Sequence, residues 1–217
     1  MLSTQRSRGA ELLASWVYPT KCCLCDMLDD SHLCSICRDA FEPRAQRVAR
    51  AYGPADLSYW AAIFAYDGRA AQAVQRLKYN RATALAGPLS NLLFEAAEAE
   101  ALLDVDLIVP VPIHWSRRCL RGFNQSDLLA EAFPKNLLAR WPVRRIRATR
   151  PQVGLSHDER TSNLKGAFRA SPKVAGKRVL LIDDVLTSGQ TARECASALK
   201  AAGATEVGAL ALCGGGI

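Results

Sequence analysis

Hydrophobic positions along this chain switch repeatedly between helical and extended spacing, and the switches predict its elements. Residues 10–18 suit a short amphipathic helix that stops at Pro19. Tyr59 to Tyr66 is an apolar and aromatic run that reads as a strand, stopped at Asp67-Gly68. Ala70, Ala73, Val74 and Leu77 then keep a helical period over Arg69 to Tyr79. A second helix is predicted from Ala84 to Leu103, entered near Gly87-Pro88, and a strand from Leu107 to Pro112. His114 to Gly122 reads as a Pro- and Arg-flanked loop, and Asn124 to Phe133 as a helix capped by Asn124 and broken at Pro134. A turn over 136–141 and a short strand over Val143 to Ile146 follow. The polar stretch Gln152 to Phe168 reads as a long loop with a short helix near Asp158 to Leu164. Strand 178–183, helix 190–202 with Gly203 as its stop, and strand 205–212 complete the series. Strands alternating with helices imply an α/β fold whose mainly parallel sheet carries helices on both faces.

Breakers and arginines between 41 and 58 divide the chain. The expected organisation is an N-terminal unit over 1–45, a linker over 46–58 and the α/β domain over 59–217. A length of 217 residues accommodates one such domain and a small accessory module. With 49% apolar and 23% charged residues the composition is that of a folded protein. A formal charge of +7 favours anionic partners, phosphorylated small molecules and nucleic acid alike. No apolar run reaches membrane-spanning length, so no membrane span is expected.

Four of the eight cysteines change this picture. Cys22-x2-Cys25 and Cys34-x2-Cys37 each put two thiolates on one tight turn, and two such turns close a tetrahedral Zn–S4 shell. With no open position the zinc would be structural, and its binding would supply folding free energy to a segment too small for its own core. Cys23 is the spare thiol, and His32 between the pairs is a substitute ligand. Read without metal, the four are reduced thiols, and no βαβ pattern supports a thioredoxin-like role. Either way the cysteine usage suits the cytoplasm.

Most of the chemistry lies in Val179-Leu180-Leu181-Ile182-Asp183-Asp184-Val185-Leu186-Thr187-Ser188-Gly189-Gln190-Thr191. A buried strand carries two carboxylates toward its carboxyl end, where open α/β sheets hold their ligands. A hydroxyl-rich loop and a helix start follow, offering backbone N–H groups and a positive dipole end to a phosphate. A ligand with both a diol and a phosphomonoester, such as ribose 5-phosphate, would use every part. The bland alternative is an Asp-rich turn with a Thr cap, but adjacent carboxylates would then send one into apolar packing. Arg117, Arg118 and Arg121 form a second cluster, suited to pyrophosphate oxygens or simply solvated. Arg140, Arg144, Arg145, Arg147 and Arg150 with Trp141 form a third, suited to single-stranded DNA or to protecting a strand edge. His114 and His157 have no visible carboxylate partner and read as structural.

The Asp183-Asp184 segment resembles the phosphoribosyl-pyrophosphate motif of type I phosphoribosyltransferases. That resemblance implies that the acidic pair holds the ribose hydroxyls while Thr187, Ser188, Gly189, Gln190 and Thr191 wrap the 5′-phosphate. Together with the four-Cys head, Leu77-Lys78-Tyr79, Pro110-Val111-Pro112, Arg121-Gly122-Phe123-Asn124-Gln125 and Glu159-Arg160-x2-Asn163-x2-Gly166-Ala167-Phe168, the order of motifs resembles the ComF family (ComFC- or GntX-like). Membership would imply a zinc finger joined to a phosphoribosyltransferase-like domain, a role in DNA uptake during natural transformation, and a ComFA-type helicase as partner. Asp183 and Asp184 would then be the catalytic pair, with Mg²⁺ accompanying phosphoribosyl pyrophosphate, and Lys78, Arg117 and Arg121 further ligand contacts. Arg160 would clamp a closing loop. Ser188 stands where the family commonly has Thr, keeping the hydroxyl, and Pro134 interrupts a helix usually continuous. The rival is a non-enzymatic sensor that binds nucleotide in the crevice and single-stranded DNA on Arg144, Arg145 and Arg147.

Overall fold

The computed structural model describes residues 20–43, 48–49, 57–148 and 164–215. The expected helix over 10–18, His157, Arg160 and most of the 152–168 loop lie outside them. In chain order the elements are α1 (Ser35–Asp39), β1 (Val48–Ala49), β2 (Tyr59–Ala65), α2 (Gly68–Tyr79), α3 (Ala86–Ala99) and β3 (Leu107–Pro110). Next come α4 (Trp115–Arg121), α5 (Gln125–Leu129), β4 (Val143–Arg145), β5 (Phe168–Ala170), β6 (Arg178–Leu186), α6 (Gln190–Ala201) and β7 (Glu206–Gly214).

Five strands form one sheet in the order β1-β2-β7-β6-β3, parallel except where β1 pairs antiparallel with β2. This is the expected α/β architecture. Side-chain alternation sorts the sheet into two apolar faces. Leu180 and Ile182 of β6, with Ile108, Leu210 and Leu212, bury into a core shared with Val74 and Leu77 of α2, Leu89 and Leu93 of α3, and Leu129 of α5. Val179 and Leu181, with Val109, Val207, Ala209 and Ala211, pack against Ala192, Cys195, Ala196 and Leu199 of α6. The cysteine segment does not stand apart from this core, since Cys22, Leu24, Cys34, Cys37 and Phe41 join the α2 side. Phe41 meets Phe64 of β2 edge to face, with ring centroids 5.1 Å apart.

Register explains where a crevice can open. β6 pairs with β7 along its full length, from Arg178↔Glu206 to Leu186↔Gly214. Its pairing with β3 ends at Pro110↔Ile182, after which Val111 N donates to Ile182 O at 2.9 Å. Asp183 is therefore the first residue of β6 beyond the reach of β3.

Several elements differ from expectation. Residues 115–121 are a helix rather than a loop. His114 caps it by accepting from Ser116 N, Gly122 ends it at φ 88°, and nothing between them opposes helix. Its own pattern gives no clue, because none of its side chains is buried. The helix expected to start at Ala84 instead begins with a 3₁₀ turn over Thr83–Leu85 and ends at Ala99, and α5 ends at Leu129. β5 falls in what reads as the end of a loop; it forms a two-stranded antiparallel sheet with β4. β1 falls in the expected linker. β6 runs three residues beyond its expected end at Asp183, to Leu186.

Candidate functional site

Asp183 and Asp184 lie within β6 and so, by strand alternation, look to opposite faces of the sheet. Both are buried, rather than emerging at the strand end. Asp183 Oδ1 accepts from Ser126 Oγ at 3.0 Å and from Asp184 N at 2.9 Å. Ser126 can reach it because Asn124 caps α5, accepting from Ser126 N, and also donates from Nδ2 to Val111 O at 3.1 Å. Burial, and then the neighbouring Asp184, push the Asp183 acid up to about 7, against the opposing pull of Lys78.

Asp184 turns toward α2, where Lys78 Nζ lies 2.7 Å from its Oδ1. Burial alone would disfavour the lysine charge, but Asp184 outweighs it and raises the Lys78 pKa. The other oxygen, Asp184 Oδ2, is buried with no hydrogen-bond partner. An orphaned buried carboxylate oxygen is costly unless a ligand hydroxyl or cation meets it, so the donor set fits a Mg²⁺–sugar complex.

Beyond the pair, Val185 to Thr191 enclose a small pocket at the start of α6. Gly189 turns the chain into α6 at φ 67°, a conformation that disfavours a Cβ. Thr187 is exposed, Ser188 and Thr191 are half-buried, and Gln190 turns inward, donating from Nε2 to Glu194 Oε1 at 3.1 Å. Glu194 Oε2 also accepts from Gly166 N at 3.2 Å, tying the segment before β5 to this helix. Sequence reasoning gave neither Ser126 nor Glu194 a contact in the site; the Asn124 cap points to the first, but nothing marks the second.

The arginines separate. Arg121 is on α4 and bonds Gln125 Oε1, with its guanidinium 5.5 Å from the Tyr79 ring centroid at the end of α2. Arg117 is on the same helix, half-buried. Arg118 is 3.5 Å from Asp127 and covers Trp141, which is exposed. Arg144, Arg145 and Arg147 have different surroundings. Arg144 is exposed, Arg145 lies over Phe168 at 5.4 Å, and Arg147 donates to Lys165 O at 2.7 Å. His114 is buried as a helix cap, in keeping with a structural role. A concavity of roughly 890 Å³ lies at the opposite end of the sheet; there Arg178 is already paired with Asp104 at 2.8 Å. The position of the carboxylates, not cavity size, marks the candidate site.

The four cysteine sulfurs of Cys22, Cys25, Cys34 and Cys37 lie within 4.8 Å of one another, and none is in a disulfide. Cys25 and Cys34 are 3.6 Å apart, close to the ~3.8 Å edge of a Zn–S4 tetrahedron with bonds of about 2.3 Å. Backbone N–H groups already point at the sulfurs, Leu24 N at Cys22 and Cys37 N at Cys34, both at 3.4 Å. Burial would raise the Cys22 thiol, but backbone donors from Cys34, Leu24 and Cys25 prevail and lower it to about 6. His32 instead sits 3.4 Å from Lys21 O, outside the cluster. The donor set suits zinc, and the four cysteines could bind it.

Residues 136–217 match the phosphoribosyl transferase domain. DNA utilization protein YhgH of Escherichia coli strain K12 is 40% identical over 147 residues, covering 64% of this chain and 65% of that protein. Competence protein F of Haemophilus influenzae is 33% identical over 149 residues, 62% of this chain and 63% of that one. Competence protein ComFC of Streptococcus pneumoniae is 28% identical over 195 residues, 82% and 86%. The chain is similar to competence and DNA-utilization proteins over part of its length. Its matches span a little under two thirds of the YhgH and Haemophilus relatives. A solved glutamine phosphoribosylpyrophosphate amidotransferase from B. subtilis aligns with 56% of this chain and 24% of its own, at 24% identity and a TM-score of 0.37. Among the described residues, no helix is long and apolar enough to cross a membrane.

Proposed function

We propose that this chain binds phosphoribosyl pyrophosphate with Mg²⁺ in the crevice beside β6, serves DNA uptake in natural transformation, and transfers the phosphoribosyl group to an acceptor. The observation that carries this reading is Asp184 Oδ2, buried without a partner beside Asp183 and one loop away from the amides that open α6. Asp183 and Asp184 would hold the ribose hydroxyls, and Thr187 to Thr191 the 5′-phosphate. Lys78 would stay on Asp184 Oδ1, leaving Oδ2 to the ligand, and add its charge near the phosphates, with Arg117 and Arg121 on the pyrophosphate side. Bound Mg²⁺ would neutralise the pyrophosphate. In the transfer the bond from ribose C1 to the pyrophosphate oxygen breaks, a bond from C1 to the acceptor forms, and pyrophosphate departs. The chain contributes position and charge rather than a nucleophile.

In this reading residues 1–45 carry a structural zinc on Cys22, Cys25, Cys34 and Cys37, residues 59–217 carry the ligand, and the reduced thiols suit a cytoplasmic address. A ComFA-type helicase is the proposed protein partner. Pyrophosphate release measured against a panel of free bases and oligonucleotides tests the transfer. Release with one acceptor class supports it, and tight ligand binding with no release contradicts it.

A specific observation favours a second reading, a non-enzymatic sensor that binds single-stranded DNA. α4 buries none of its side chains, Trp115 on it is 69% exposed, and its arginines stack on exposed Tyr79 and Trp141. Such aromatic and guanidinium faces suit unpaired bases. Affinity for an oligonucleotide that falls steeply with salt, in a protein releasing no pyrophosphate, selects this reading.

A further inference from the structure

Helix α2 lies between the two centres described above, and its two flanks serve one each. Leu77, Val74, Ala73 and Ala70 are buried in the core. On one flank Arg69 and Arg76, seven residues apart and so on the same side of the helix, reach the cysteine turn. Arg76 Nη1 donates to Cys23 O, and Arg69 Nη1 donates to Leu24 O at 3.3 Å. Those carbonyls belong to the two residues between Cys22 and Cys25. Lys78, two positions after Arg76 and therefore about 200° around the helix, faces the other way and pairs with Asp184. Four thiolates around Zn²⁺ leave a net charge of minus two, and the two guanidinium groups equal it in magnitude and oppose it in sign. Metal loading would thus tighten the grip of both arginines on the turn.

We infer that Arg76, assisted by Arg69, is a positioning residue that ties the Cys22–Cys25 turn to α2 and thereby sets Lys78 against Asp184, so that metal in the cysteine cluster raises affinity for the ligand of the acidic crevice. The ligand half of this statement rests on the function proposed above. The linkage itself does not, because coupling between two sites acts equally in both directions.

The test uses the full chain loaded with zinc, phosphoribosyl pyrophosphate with Mg²⁺ as the probe, and calorimetry beside zinc release to a colorimetric chelator. Arg76→Ala weakens probe binding about fivefold or more and speeds zinc release, and Arg76→Lys restores most of both. In a Lys78→Met background the same Arg76→Ala change has little further effect on probe affinity, because it acts through the lysine. Equal effects of Arg76→Ala in both backgrounds overturn the inference and leave Arg76 a stabilising residue only. If Arg76→Ala fails to fold, Arg69→Ala, whose side chain is more exposed, carries the same cycle. If the unaltered protein does not bind the probe, the proposed function fails and zinc release decides the linkage alone. Weaker zinc affinity in Lys78→Met and Asp184→Asn, read as the equilibrium share of zinc taken by the chelator, supports it, and unchanged affinity overturns it.

Discussion

Lys78 Nζ and Asp184 Oδ1 are 2.7 Å apart, joining the last turn of α2 to the interior of β6, with both groups largely withdrawn from solvent. Removing one member of such a pair leaves an uncompensated charge in the core. Lys78→Met therefore costs roughly 3 kcal/mol of stability, measured by urea unfolding near neutral pH. Lys78→Met combined with Asp184→Asn recovers much of that loss. A single variant as stable as the unaltered protein means the pair is not buried in solution.

Asp183 predicts a pH dependence of definite sign. Its folded-state acid is held at about 7 by burial and then by Asp184, while an unfolded aspartate titrates near 3.9. Between those values the folded chain keeps a proton that the unfolded chain has released. The contribution of this group is therefore full below about pH 4, is lost as pH rises toward 7, and is flat above. Asp183→Asn removes this slope, so its stability gains on the unaltered protein across that window. Curves that stay parallel from pH 4 to 8 contradict the assignment.

Gly189 holds φ 67° in the loop that opens α6. Gly189→Ala costs about 1–2 kcal/mol through left-handed strain, and ligand affinity falls with it as the loop amides turn away. An alanine variant with unchanged melting temperature and affinity means the loop does not use this conformation.

The cysteine cluster predicts about one zinc per chain by metal analysis. Cys37→Ser lowers zinc content and thermal stability together, because Cys22, Cys34 and Cys37 are also part of the core around Leu77. A chain that is metal-free and melts at the same temperature contradicts the zinc site.

Much of the site was legible because it is local in sequence. Asp183 to Thr191 is one continuous stretch, and the cysteine spacing encodes its own geometry. What escaped were contacts made across long sequence separations. Ser126 reaches Asp183 only because β3 stops at Pro110 and the chain returns beside β6. β5 pairs with β4 across the 152–163 stretch, a pairing too short for periodicity to reveal. α4 has no apolar face turned to the core, so a method that reads burial from spacing sees a loop. The arginines of 144–147 look continuous in sequence, yet strand alternation sends Arg145 onto Phe168 while Arg144 faces solvent. Trp141 could equally have joined the core by composition; it is 56% exposed under Arg118.

Titration of the zinc-loaded chain with phosphoribosyl pyrophosphate and Mg²⁺ by calorimetry tests the account most directly. Saturable one-to-one binding is expected, abolished when Asp183→Asn and Asp184→Asn are combined in a chain that still folds. No heat of binding, or an affinity unmoved by the double change, means that the acidic pair of β6 serves something other than a phosphorylated sugar.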